Sequence, residues 1–125
     1  MNSSKTLILI RHAHRDNSVH SLDNGLSEHG HEQVKKMLKF AQHRLKETSP
    51  TIFASPKKRC QETVGPLAKE LGLKVMVDPR LVERQPTEEL EHFSDRLDEF
   101  LDFWKGECGP VTVICSHADC IPVMI

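Results

Sequence analysis

Thr6-Leu7-Ile8-Leu9-Ile10-Arg11-His12-Ala13 is the stretch that decides the fold of this chain. Behind Thr6 stands an unbroken run of branched apolar residues, and it stops abruptly at a guanidinium and an imidazole. A continuous run of this kind reads as a short strand covered on both faces, since a half-exposed strand alternates apolar with polar. The polar pair then leaves the sheet at the strand's carboxyl end.

Three more runs repeat the pattern. Thr51-Ile52-Phe53-Ala54 ends at Ser55-Pro56, Lys74-Val75-Met76-Val77 at Asp78-Pro79, and Val111-Thr112-Val113-Ile114-Cys115 at Ser116-His117. Helical periodicity lies between them. Ser27 is placed to cap a helix running to about Lys46, in which Val34, Met37, Leu38, Ala41 and Leu45 recur at three- and four-residue spacing. A second helix is expected from about Lys57 to Leu71, with Gly65-Pro66 as a kink or restart and Gly72 as its stop. Thr87, followed by Glu88 and Glu89, predicts the start of a third, whose stripe of Leu90, Phe93, Leu97, Phe100, Leu101 and Trp104 ends near Gly106.

Strands alternating with helices predict an α/β fold with a mostly parallel central sheet and helices on both faces. The 125 residues suit one domain, spanning 1–125, and no repeat or linker divides them. Lys and Arg total 17 against 18 Asp and Glu, a net charge of -1, which argues against broad binding to nucleic acid or membrane. Any positive site is therefore local. Cys60, Cys108, Cys115 and Cys120 have neither CxxC spacing nor the density of a disulfide scaffold, so reduced thiols in a cytoplasmic protein are expected. The apolar run at Leu7 is too short for a signal-peptide core or a membrane span. Of eight histidines, His20, His43 and His92 read as solvated surface residues.

In parallel α/β sheets, ligands bind beyond the carboxyl ends of the strands. There the chain carries Arg11 and His12, the segment Ser55 to Arg59, and Ser116 and His117. Two imidazoles and two guanidinium groups suit a dianionic tetrahedral group such as phosphate. A neutral imidazole can attack phosphorus to give a phosphohistidine that water then hydrolyses, with no metal or other cofactor.

These residues resemble those of the histidine phosphatase superfamily, which includes phosphoglycerate mutases and small phosphohistidine phosphatases. The resemblance rests on Leu9-Ile10-Arg11-His12-Ala13, Leu26 to Gln33, Ser55-Pro56-Lys57-Lys58-Arg59-Cys60-Gln61-Glu62-Thr63, Leu81-Val82-Glu83-Arg84 and Ser116-His117. It implies a phosphoglycerate mutase-like fold, His12 as phosphoacceptor, and Arg11, Arg59 and His117 around the phosphate. It further implies Glu83 as proton donor and Asn17 close to the phosphate. Ala13 stands where the family usually has glycine, which requires only that the backbone there tolerate a methyl group.

Between Glu83 and Val111 there is room for one helix, where mutases carry a larger cap. A minimal cap implies an open site that admits either a phosphorylated small molecule or a phosphohistidine side chain on a protein. Eight residues follow His117, including Pro122, which is expected to interrupt a helix; family members usually continue further, so the chain reads as a reduced or truncated member. Two other readings stand beside this one. A catalytically weak module would bind phosphorylated partners without turnover, and a metal-dependent hydrolase would use His12, His14 and Asp16, whose alternation is metal-ligand spacing. The oligomeric state has no sequence signal.

Overall fold

The computed structural model describes residues 5–18 and 22–125. Its elements in chain order are β1 (Thr6–Arg11), α1 (Glu28–Leu45), β2 (Thr51–Ala54), α2 (Lys58–Leu71), β3 (Val75–Val77), a 3-10 turn (Pro79–Leu81), α3 (Leu90–Glu107), β4 (Val111–Ser116) and α4 (Ile121–Met124). The four strands form one all-parallel sheet in the order β1-β4-β2-β3. Both the α/β class and the parallel sheet agree with the reading of the sequence.

The chain moves from β1 to β2 and β3 through α1 and α2 on one face, then returns through α3 on the other to insert β4. One core joins Leu45, Cys60, Val64 and Leu67 to Ile52, Ala54, Val113 and Cys115. The opposite core joins Phe93, Leu97 and Phe100 to Phe53 and Ile114, with Cys120 and Met124 from the C-terminal segment. Phe100 is fully buried, with its ring edge-on to Phe53 at 5.2 Å, so truncation to Ala should cost about 3–5 kcal/mol. β1 lies at the sheet edge and none of its residues is fully buried.

Helix ends follow local chemistry. The Ser27 side chain accepts from the Gly30 amide at 3.0 Å, as expected of a cap. Gly72 takes the left-handed conformation at φ 70°, and the Leu73 amide reaches back to the Ala68 carbonyl at 2.8 Å. α2 is assigned as one continuous helix through Gly65 and Pro66, so the expected restart is corrected. Pro66 removes one N–H but leaves the flanking Val64, Leu67 and Ala68 in the core.

Two further boundaries are corrected. α3 begins at Leu90 rather than Thr87, because the Glu88 side chain accepts from the Gln85 amide at 3.1 Å and the Glu88 amide bonds to the Gln85 carbonyl at 3.0 Å. That reciprocal turn uses the groups a helix start would need. Pro122 lies within the first turn of α4, where its missing N–H costs nothing, and the short helix forms around it.

Register positions the site. Arg11 pairs with Ser116, the His12 amide bonds to the Ser116 carbonyl at 3.1 Å, and the Ser55 amide bonds to the Cys115 carbonyl at 3.1 Å. Parallel strands in this register end together, so His12, Ser55 and His117 leave the sheet side by side. In parallel α/β sheets this edge is where ligands bind.

Candidate active site

A cavity of about 790 Å³ opens at these strand ends. Its walls include Arg11, His12, Asn17, Arg59, Glu83 and His117, all six residues expected at the site. Four of them form a contact cluster. The His12 and His117 rings lie edge to face with centroids 5.4 Å apart. Arg59, only 2 % exposed, directs Nη2 to Glu83 Oε2 at 2.6 Å and to His117 Nδ1 at 3.4 Å. His117 Nδ1 is also 3.6 Å from Glu83 Oε2, and its Nε2 lies 2.9 Å from Ser55 Oγ. Arg11 and Asn17 are exposed on the wall, outside this hydrogen-bonded cluster among the described residues.

The half-buried His12 ring has its Nδ1 2.8 Å from the carbonyl of Ala13. A carbonyl only accepts, so Nδ1 carries the hydrogen and Nε2 of the neutral ring keeps its lone pair. Burial lowers the His12 pKa below 6.5, with Arg59, His117 and Arg11 acting in the same direction against the Ala13 bond. Both effects favour the nucleophilic form.

The loop behind His12 is fastened from two helices. The Ala13 amide donates to Thr63 Oγ1 at 3.0 Å, and the Thr63 hydroxyl donates to the Arg59 carbonyl at 2.6 Å. The His14 amide donates to Gln33 Oε1 at 2.8 Å, while the His14 carbonyl accepts from the Ser27 amide at 2.9 Å. Gly30 sits against that carbonyl so closely that a Cβ there would lie 2.1 Å from it. Glu62 reaches the Leu26 amide at 2.7 Å. The segments Leu26 to Gln33 and Ser55 to Thr63 are thus joined through this loop. Ala13 has no positive φ, so the backbone conformation there does not call for glycine.

Glu83 is held below the usual carboxylate range. Burial, the largest single influence, would raise it, but the Arg59 hydrogen bond and the charges of His117, Arg59 and Lys57 together outweigh it. Its partner is therefore Arg59 rather than the neighbouring Arg84, which donates instead to Asp119 and to the Glu88 carbonyl. Lys57 Nζ stands 4.0 Å from the second Glu83 oxygen.

The metal reading of His12, His14 and Asp16 is corrected. His14 Nδ1 lies 2.6 Å from Ser27 Oγ, and Asp16 accepts from the Ser18 amide. Among the described residues no group of three His, Cys, Asp or Glu side chains is placed to hold a metal ion. His20 lies outside the described residues. His43 and His92 are exposed, although His92 Nδ1 approaches Glu88 Oε2 at 2.5 Å.

Some contacts have no signal along the chain. Ser55 and Cys60 both touch His117 Nε2, the latter at 3.7 Å. The Cys60 anion is favoured first by hydrogen bonding with Cys115 and then by His117, while that coupling and burial push Cys115 up. All four cysteines are free thiols. No described helix is long and apolar enough to cross a membrane.

With this geometry in view, the decisive comparison is a match to the model of the histidine phosphatase superfamily (branch 1) over residues 7–87. The chain belongs to that superfamily. Among solved structures, a mycobacterial glucosyl-3-phosphoglycerate phosphatase in complex with VO3 is similar at a TM-score of 0.77 and 20% identity, over 97% of this chain and 78% of that one. A putative alpha-ribazole-5'-P phosphatase from Escherichia coli reaches 0.79 at 18% identity, over 97% and 77%. Phosphoglycerate mutase from Plasmodium falciparum reaches 0.68 at 17% identity, over 98% and 67%. At such identities the likeness shows the phosphoglycerate mutase-like fold. No curated protein matches. This histidine phosphatase superfamily member carries little cap: only α3 and the segment leading to it separate the 3-10 turn from β4.

Proposed function

We propose that the protein is a metal-independent phosphatase that hydrolyses phosphate monoesters or phosphohistidine through a phosphohistidine on His12. The observation that carries this reading is the bond from His12 Nδ1 to the Ala13 carbonyl at 2.8 Å. It selects the tautomer with a free Nε2 at the wall of a cavity that also contains buried Arg59 and His117.

In the first step, the His12 Nε2 lone pair forms a bond to phosphorus and the P–O bond to the leaving group breaks. Arg59, His117 and Arg11 supply positive charge and donors for the nonbridging oxygens, with Asn17 beside them. Glu83 gives its proton to the departing alkoxide. The second step reverses these roles: water loses a proton to the Glu83 carboxylate, its oxygen bonds to phosphorus, and the P–N bond to His12 breaks.

Arg59 holds Glu83 ionised in the free site, yet an acid must carry a proton. A dianionic phosphoryl group resolves the conflict, because it draws on Arg59 and places negative charge beside Glu83, raising the carboxyl pKa. The minimal cap supports access for a phosphorylated side chain on a protein, so a cytoplasmic phosphohistidine protein is the proposed substrate ahead of a small ester.

Incubation with labelled acetyl phosphate followed by an alkaline quench tests the mechanism. The parent should retain an acid-labile label in chelator, and His12→Ala should retain none. Binding of a phosphopeptide without label or turnover would instead identify a recognition module.

A further inference from the structure

Arg96 lies on α3, outside the cavity wall, and its side chain is 12% exposed. Nε donates to Glu88 Oε2 at 2.8 Å and Nη2 to Glu88 Oε1 at 2.8 Å. Nη1 donates to the carbonyls of Arg80 and Val82, both at 2.7 Å, and Nη2 also donates to the carbonyl of Glu83 at 2.9 Å. These bonds use all five N–H donors of a guanidinium. The plane of the group also sits over the Phe93 ring, with Cζ 4.9 Å from its centroid.

We propose that Arg96 is a positioning residue for the proposed proton donor, locking the backbone that carries Glu83 onto α3. The inference rests on the reading of Glu83 as the acid. The clamped carbonyls include that of Glu83 itself, so the Cα carrying the carboxylate is directly constrained. Gln85 Nε2 adds a second donor to the same carbonyl at 2.8 Å. The carboxylate's own neighbours are Arg59 at 2.6 Å, His117 Nδ1 at 3.6 Å and Lys57 at 4.0 Å, groups that an incoming phosphate also attracts. When Arg59 turns to the phosphoryl group, the backbone clamp is what keeps Glu83 facing the leaving oxygen.

The chemistry of the clamp suits that task. A planar fork bonds several acceptors at once, which an ammonium group cannot reproduce. Glu88 completes it as counter-ion: the Arg96 hydrogen bond, chiefly, holds its carboxyl at about 2, so the pair stays charged through the range where a phosphatase works.

Steady-state hydrolysis of glycerol phosphate, an alkyl ester, and of p-nitrophenyl phosphate, an aryl ester with a better leaving group, tests the clamp. Arg96→Met should lower kcat on glycerol phosphate about 10- to 100-fold, the scale of a displaced catalytic group. KM for glycerol phosphate, and kcat/KM for the aryl ester, which reports transfer to His12 before the water attack that also uses Glu83, should each change by less than about threefold. Arg96→Lys should recover part of the loss. Combining Arg96→Met with Glu83→Gln should be no slower on glycerol phosphate than Glu83→Gln alone, since both act through one carboxyl. Equal losses of kcat/KM on both esters, no loss, or multiplication of the two effects overturns the proposal. If circular dichroism shows Arg96→Met unfolded, Arg96→Lys and Glu88→Gln are held to the same comparison of esters, and the same outcomes support or overturn the clamp. A Glu83→Gln protein as fast as the parent on glycerol phosphate removes the donor reading itself, whereas a slow Glu83→Gln beside an unimpaired Arg96→Met removes only the clamp.

Discussion

Arg59 and Glu83 form an ion pair in the candidate active site, 2.6 Å between Nη2 and Oε2, with a nearly buried guanidinium and a carboxylate one-third exposed. The pair couples the two halves of the proposed reaction, since the group that receives phosphate also governs the charge of the acid. Glu83→Gln keeps the shape and removes the transferable proton. Alkyl phosphate hydrolysis should fall by about 10²- to 10⁴-fold, and phosphohistidine hydrolysis by less, because imidazole is the better leaving group. An unchanged rate on the alkyl ester sinks the assignment.

The His12 ring should titrate below 6.5, as burial dictates. Its protonated form has no lone pair, so loss of the nucleophile on acidification occurs below that value and not at it. Folding follows the same direction: below pH 6.5 the unfolded chain takes up the proton first, so this group reduces stability until pH reaches the lower folded value. NMR titration of the imidazole, compared with a denatured sample, checks both statements. A folded value at or above 6.5 contradicts them.

Gly30→Ala should disturb the site without touching a reacting group. Its methyl would meet the His14 carbonyl at 2.1 Å, a backbone atom that cannot swing aside. Overpacking of this kind costs about 1–3 kcal/mol, and displacement of the His12 loop should lower kcat as well. Gly106→Ala is the control: nothing lies within 4 Å of its added Cβ near the end of α3, so stability should hold or rise by up to about 1 kcal/mol. Equal behaviour of the two variants in urea melts would refute the steric account.

Acid stability should depend on Glu88. Its folded carboxyl titrates at about 2 against an ordinary value of 4.5, chiefly through the Arg96 hydrogen bond. The contribution is complete above pH 4.5 and is lost as pH falls toward 2, where the folded carboxylate is protonated as well. The urea midpoint of Glu88→Gln should therefore lie below the parent's at neutral pH, with the gap closing on acidification. A gap that stays constant down to pH 2 would contradict this assignment.

The strands are legible because each is a short apolar run ended by polar residues, and α1 because Ser27 caps a regular stripe. The start of α3 is not, since helix propensity at Thr87 does not register a distant Arg96 capturing Glu88 and three carbonyls. Pro122 misleads for a similar reason: its cost depends on whether it falls in the first turn, a boundary that local composition does not define.

By itself, the sequence determined the class of fold, the strand-end placement of Arg11-His12 and Ser116-His117, and the motifs that resemble the superfamily. These are local properties, set by apolar periodicity and by residue types at short spacing. Only the tertiary structure decided that β4 lies beside β1 in the register that brings His12 to His117, that Arg59 pairs with Glu83, and that Arg96 holds the Glu83 backbone. Those contacts join residues 13 to 105 positions apart, and their partners are selected by sheet order and burial. No spacing along the chain records either.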